Sequence, residues 1–262
     1  TLSLYAGYKN NISEMLTFNT GLRYNYTSLW SEIADNSFYN FPFTTISISG
    51  GAVTGSAGIV LRPAEKMKLN LNVSTGFRAP NLDDAGKVFD SAPGIVVVPN
   101  PDLEPEYAYN ADLGISGELG KLIHADITGF YTLLTNAMVR HDFLFNGHDS
   151  VMYGGELSKV EAMTNAGSAR VYGVQLSLQL NLTKDLHLTS AIKITEGKES
   201  NGAYLRHAAP VFGSTHIVFE RKKLKADLYS LYNGAKKYVK MPPSEREKAY
   251  MYAKDANGDP WS

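Results

Sequence analysis

Apolar and polar residues alternate along most of this chain, with the charges kept to one side. From Leu16 to Tyr26, the residues Leu16, Phe18, Thr20, Leu22, Tyr24 and Tyr26 share one parity, and Thr17, Asn19, Gly21, Arg23 and Asn25 take the other. From Tyr172 to Leu182, Val174, Leu176, Leu178 and Leu180 stand against Gly173, Gln175, Ser177, Gln179 and Asn181. The same split separates Leu69, Leu71 and Val73 from Lys68, Asn70 and Asn72, and Ile123, Ala125, Ile127 and Tyr131 from His124, Asp126 and Thr128. A period of two belongs to a β-strand whose faces meet different surroundings. In these stretches and the equivalent ones at 107–116, 186–194 and 224–232, Arg23, Lys68, Asp112, Asp126, Lys193, Lys225 and Asp227 all lie on the polar parity; Arg170 has the apolar parity but sits at a strand end.

A soluble sandwich also alternates, but its outward face is charged and its inner face is dense with Ile, Val and Phe. Here the polar parity is mainly Gly, Ser, Thr, Asn and Gln, suited to a wet lumen, and the apolar parity mixes Leu with Ala, Thr and Tyr. Lipid gives the exclusion of charge a cause, because Arg or Lys at mid-depth costs roughly 2–4 kcal/mol there. A segment of about 10 residues at ~3.4 Å each, tilted by ~40°, rises close to the ~25 Å apolar band of a membrane barrel. Tyr24, Tyr26, Tyr107, Tyr109, Tyr131, Tyr172 and Tyr232 suit an interfacial aromatic girdle.

The pattern predicts an all-β chain of about ten antiparallel strands: 1–8, 15–28, 52–61, 67–76, 107–118, 122–135, 169–182, 186–196, 213–221 and 224–233. Tight turns at 9–14, 62–66, 118–121, 183–185 and 221–223 alternate with long connections at 29–51, 77–106, 136–168, 197–212 and a tail from Gly234. Long structureless loops are uncommon in compact soluble domains, whereas short periplasmic turns and long external loops are the rule in up-and-down transmembrane barrels. No run of about 20 apolar residues offers a helical span. The net charge of −1 gives no reason to expect nucleic acid, and the absence of cysteine excludes disulfides and thiolate metal sites.

Phe77-Arg78-Ala79-Pro80-Asn81-Leu82, followed by Asn100-Pro101-Asp102-Leu103-Glu104-Pro105-Glu106, resembles the paired boxes of TonB-dependent outer-membrane receptors, with Asn110-Ala111-Asp112-Leu113-Gly114 similar to the family's continuation. Asn165-Ala166-Gly167 leading into Ala169-Arg170-Val171-Tyr172-Gly173-Val174-Gln175 resembles the return strand after a long loop. The resemblance implies a 22-stranded barrel in the outer membrane of a Gram-negative bacterium, of which residues 1–262 are a fragment from the later half. It also implies partners: a plug domain, the remaining strands, TonB acting through the plug, outer-membrane lipid, and a scarce solute such as a siderophore, haem, cobalamin or glycan. The expected role is energy-coupled import, not enzymology, with no resident cofactor. Residues 81–99 hold no histidine, a departure from the haem-receptor members.

The candidate ligand-binding residues at the rim and loops are Arg78, Asn81, Asn100, Asp102, His141 and His148. The residues of the boxes read first as rim architecture, ahead of direct ligand contact: Pro80, Pro101 and Pro105 stop ladder hydrogen bonding, and Arg78 is placed to pair with Glu106. His141 and His148, with Asp142 and Asp149, support an alternative, a complete ten-stranded outer-membrane surface protease. Asp255, Asn257 and Asp259 around Gly258 have the i, i+2, i+4 spacing of a calcium loop without its later bidentate Glu. Asp83 and Asp84 are a further cation candidate, weighed against a solvated rim.

Overall fold

In a computed structural model of the chain, all residues are described except 38–40, 166, 206, 207, 209, 247, 248 and 262, with side chains omitted also at 243 and 244. Ala166 of the second motif and the terminal Ser262 therefore lie outside the described residues.

The elements run β1 (Leu2–Asn11), β2 (Leu16–Glu32), β3 (Thr45–Ala64), β4 (Met67–Arg78), the single turn α1 (Leu82–Ala85), β5 (Phe89–Ala92), β6 (Ile95–Val98) and β7 (Glu106–Leu119). They continue as β8 (Ile123–Thr135), β9 (Met138–Asp142), β10 (Ser150–Tyr153), β11 (Glu156–Asn165), β12 (Ala169–Asn181), β13 (Leu186–Glu199), β14 (Val211–Arg221) and β15 (Leu224–Asn233). Ten of these form one antiparallel sheet in the order β1-β2-β3-β4-β7-β8-β12-β13-β14-β15. The sequence expectation of ten meandering strands is met. The sheet is open, however: β1 and β15 do not pair with each other. A complete ten-stranded barrel needs that closure, so the surface-protease alternative loses its architecture.

Register carries the alternation across the whole wall. Leu61 stands opposite Leu69, Leu69 opposite Ile115, Ile115 opposite Ile127, Ile127 opposite Leu176, and Leu176 opposite Ile192. Directly opposed residues share a face, so these strands lay down one apolar belt. Its exposure is inverted relative to a soluble protein: Leu22, Leu113 and Leu228 are 62%, 61% and 72% exposed, while Thr17, Asn25 and Ser116 on the polar parity are buried. Side chains crowd on the inner side of a curved sheet and splay on the outer, so the apolar belt is the convex face.

Glycines adapt this wall to its large side chains. An added Cβ at Gly213 would lie 2.6 Å from the Tyr232 hydroxyl and against the Ala191 carbonyl, the same carbonyl to which Tyr232 donates at 3.3 Å. Gly213→Val is expected to displace that ring and destabilise the barrel by about 1–3 kcal/mol, to be read as a lowered denaturant midpoint in vesicles.

The connections depart most from the sequence reading. β2 and β3 run to Glu32 and from Thr45, so the loop expected at 29–51 shrinks to 33–44. At ~3.4 Å per residue and a ~40° tilt, the 20 residues of β3 rise roughly 50 Å, about twice the apolar band. β3 leaves β4 above the Ser56–Ser74 pair, where the Gly55 N–H donates to the Thr75 hydroxyl at 2.8 Å. The connections 77–106 and 136–168 are not structureless either. β5, β6, β9, β10 and β11 build a second sheet, in which β6 and β11 run parallel, from Lys159 opposite Ile95 to Ala162 opposite Val98. This cap has its own core of Val96, Val98, Phe145, Val160 and Ala162, with Phe41 from the 33–44 loop against it.

Candidate functional site

The cap is anchored to the barrel by the residues of the paired boxes. Ile46 and Ile48 share the parity of Ala52, on the polar side of β3, and they pack with Ala85, Leu103, Met138, Phe43 and Met163. The polar side is concave, so the cap seats on the lumen side of the tall β2–β3 hairpin. Asn81 caps α1: the Asp84 N–H donates to Asn81 Oδ1 at 2.9 Å, and the Asn81 N–H donates back to Asp84 Oδ2 at 3.0 Å, a reciprocal capping box.

Arg78, at the end of β4, joins three segments. Its Nε donates to Glu106 Oε1 at 2.9 Å and its Nη1 to Asp84 Oδ2 at 2.7 Å. Nη2 lies 3.8 Å from the Met138 sulfur. The other Glu106 oxygen accepts the Met138 N–H at 2.9 Å. Asn100 is buried; its Nδ2 donates to the Met163 carbonyl at 2.9 Å and its Oδ1 accepts the Asp102 N–H at 3.1 Å.

Asn165 makes a similar clamp. Its Oδ1 accepts the Glu104 N–H, and its Nδ2 donates to the carbonyls of Glu104 and Asn136, each at 2.8 Å. Asn136 has φ +53°, a left-handed conformation Asn tolerates better than most residues. We expect Asn165→Ala to cost about 1–3 kcal/mol of loop-root stability, visible as faster proteolysis at 136–168 with the barrel still folded.

The six candidate residues therefore divide. Arg78, Asn81, Asn100 and Asp102 come together at the roots of the loops, with the polar side chains of Arg78, Asn81 and Asn100 engaged in internal contacts. His141 and His148 sit instead in the cap, His141 on β9 opposite Ala162 and His148 in a turn with Phe145. Neither is brought to a carboxylate among the described residues: Asp142 pairs with Lys159 at 2.6 Å, and Asp149 accepts from the Ser150 hydroxyl at 2.8 Å. The catalytic dyad of the protease alternative is not assembled.

The two cation candidates are likewise taken up by local structure. Asp255 Oδ1 accepts the N–H groups of Asn257 and Asp259 at 2.8 and 3.0 Å, making the tip of a small hairpin, and Asp84 serves α1 and Arg78. Among the described residues no group of three or more His, Asp or Glu is placed to hold a metal ion.

The lumen side offers a continuous polar surface. Thr132 donates to Asn110 at 2.6 Å, and Asn110 and Asn72 donate to Asp112 Oδ2 at 2.7 and 3.4 Å. Arg23 donates to the Ser3 hydroxyl at 3.0 Å. Sequence reasoning missed two acid–histidine pairs on this side, His124 with Asp126 at 3.0 Å and His216 with Asp227 at 3.1 Å. The i, i+2 spacing of His124 and Asp126 was a visible signal; the His216–Asp227 pair depends on the β14–β15 register.

The family model described as TonB dependent receptor-like, beta-barrel, matches residues 1–255. Transferrin-binding protein A of Neisseria meningitidis serogroup B is 28% identical over 180 residues, 66% of this chain and 17% of its own length. The iron-regulated outer membrane virulence protein of Vibrio cholerae serotype O1 is 30% identical over 139 residues, 50% of this chain and 20% of its own. This chain thus spans about a fifth or less of these relatives. Among solved structures, the copper transporter OprC superposes with a TM-score of 0.69 at 15% identity, over 89% of this chain and 34% of its own. A ferric enterobactin receptor from Pseudomonas aeruginosa, in complex with enterobactin, gives a TM-score of 0.68 at 16% identity, over 90% of this chain and 33% of its own.

Proposed function

Because this chain belongs to the TonB-dependent receptor-like β-barrel family, we propose that it supplies ten wall strands and an external cap to a receptor that captures an iron chelate or haem for import. It is an outer-membrane β-barrel protein of a family of transport receptors, not enzymes. The observation that carries the reading is the cap itself. Two long connections, plus Phe41 and Phe43 of a third, fold into one body against the lumen side of the wall, at the end opposite the tight turns. Such a body positions a binding surface above a polar conduit, which a passive pore does not need. The open edges at β1 and β15 support a larger barrel, in which further strands continue the ladder. The relatives named for transferrin and iron regulation favour iron over cobalamin or glycan. A plug domain, and TonB acting through it, supplies the energy-coupled release in this reading.

His141 and His148, both exposed on the cap, are the candidates for direct contact with the solute, and the side chains of Arg78, Asn81 and Asn100 hold the loop roots in place, with Asp102 giving its N–H to Asn100. The test is uptake of radiolabelled iron by a receptor-deleted strain carrying the full-length gene. Deletion of 136–168 is expected to reduce uptake at least about tenfold, as loss of a binding body does. Unchanged uptake would refute the reading.

A further inference from the structure

The upper half of β3 is an open edge within the wall. From the Leu61–Leu69 pair up to the Ser56–Ser74 pair, β3 is laced to β4. Above that point, residues 45–54 pair with β2 alone among the described residues. The Gly50 carbonyl accepts from the Thr27 hydroxyl on β2 at 3.5 Å, whereas the Gly55 N–H and carbonyl meet the Thr75 hydroxyl on the β4 side at 2.8 and 3.4 Å. Backbone polar groups change sides at each residue of a strand, so Thr45, Ser47, Ser49, Gly51 and Val53 turn theirs into the seam. All five residues are exposed. Among the described residues, no other element bonds these backbone groups.

Native sheets guard such edges with charge, proline or short strands. The run Thr45-Ile46-Ser47-Ile48-Ser49-Gly50-Gly51-Ala52-Val53-Thr54 has neither charge nor proline. The cap's edge strand β5 shows the contrast: it is four residues long, carries Asp90 and is followed by Pro93. On the inner face of the seam, Ile46 and Ile48 are joined by Leu82 of α1, which is 46% exposed. A Cβ added at Gly86 would lie 3.0 Å from Leu82 Cδ1 and 3.1 Å from Ile46 Cδ1, so the two side chains are neighbours. On the outer face, Ser47, Ser49 and Gly51 are small enough for another strand to close up.

Water reaches this edge. Ser56 stands eight residues above Ala64, roughly 21 Å at ~3.4 Å per residue and a ~40° tilt, so nearly all of the edge rises beyond the ~25 Å apolar band. We infer that it is a docking site for an extended segment of a separate polypeptide presented from outside, added as an antiparallel strand in the place β4 holds lower down. Main-chain bonds to an exposed edge supply affinity, and alternate side chains supply selection. Directly opposed residues share a face, so guest residues bonded to the seam point outward and the others point onto Ile46, Ile48 and Leu82. The guest therefore alternates polar with aliphatic residues. A second copy of this chain does not fit: β3 runs from the outer end toward the tight turns in every copy, so copies in one membrane present these edges with the same polarity. The site is independent of which solute is imported.

The test uses the full-length receptor in nanodiscs and a nine-residue peptide of alternating Thr and Val with a lysine at each end. Hydrogen–deuterium exchange, read amide by amide, should be fast at Ser47, Ser49, Gly51 and Val53 in the receptor alone and at least about tenfold slower with peptide, while Ile46, Ile48 and Ala52 do not change. N-methylation of the Thr residues, which removes the donors facing β3, should weaken binding at least about tenfold, and N-methylation of the Val residues should not. Ser49→Pro removes a seam-facing N–H and leaves the pairing with β2, as an edge strand tolerates. It should weaken binding at least about tenfold with the gel mobility of the folded barrel unchanged. Exchange at the four amides that does not slow with peptide would overturn the inference. So would protection already present without peptide, because the receptor would then cover the edge itself. Equal effects of the two methylations would overturn the antiparallel ladder. Iron uptake is the readout of the functional proposal, so the two ideas fail separately.

Discussion

Leu113→Arg should destabilise the barrel by roughly 2–4 kcal/mol in lipid vesicles, the cost of a guanidinium near mid-depth on a lipid-facing surface. Leu113 sits in β7 between Leu71 and Gly129 in register, in the middle of the belt, and it is 61% exposed in the chain alone. In water such exposure would make the substitution harmless. Thr128 makes the comparison decisive, since it lies on the polar side opposite Gly114 and Gln175. Thr128→Arg should change stability by no more than about 0.5 kcal/mol, as for an ordinary hydrated position. Denaturant titration of both variants of the full-length receptor in vesicles reads the difference. Equal costs would mean that the Leu-rich side does not meet hydrocarbon.

Val160→Asp should unfold the cap and leave the wall standing. Val160 is 1% exposed at the centre of the cap core, between Val96 and Ala162 and beside Phe145. A carboxylate there has no cation in the core to pair with, and an uncompensated buried charge costs roughly 3–5 kcal/mol. A cap of two short-stranded loop segments has little stability to set against that. The barrel strands β8 and β12, by contrast, are held along 12 paired positions from Ala169 opposite Leu134 to Leu180 opposite Ile123. The expected result is rapid proteolytic cleavage within 79–105 and 136–168, with the heat-dependent gel mobility of a folded barrel retained and iron uptake lost. Cleavage no faster than in the unmodified receptor would show that the cap does not depend on this core.

The barrel was legible in the sequence because each of its strands carries the signal by itself. Leu69, Leu71 and Val73 alternate with polar neighbours whether or not β3 and β7 are known, and ten such local patterns in succession define a meander. The cap was not legible for the opposite reason. Ile95-Val96-Val97-Val98 is a short apolar run that periodicity cannot assign, and its partner lies more than 60 residues away at Lys159–Ala162. In β11 a signal did exist: Ser158, Val160 and Ala162 are buried and alternate with Lys159 and Glu161. It was hidden by the expectation that the whole connection is loop. The upper parts of β2 and β3 were missed because the belt pattern stops where lipid stops, although Ile46 and Ile48 still alternate with Ser47 and Ser49.

The candidate site shows the same division. Pairing of Arg78 with Glu106 was foreseen from the boxes, and the geometry extends it to Asp84 and Met138. Asn165, which makes three hydrogen bonds at the loop roots, carried no chemical signal beyond its place in the second motif. Its three partners, in Glu104 and Asn136, come from connections on either side of β7 and β8.

The parallel pairing of β6 with β11 has a mechanical consequence. Four residues from one connection are stitched alongside four from another, and the stitch is tied at its base by Asn165. Neither segment can be displaced alone without tearing the ladder. Under the proposed reading, a solute that touched His141 on one half would also load the roots of the other, at Asn81 and Arg78.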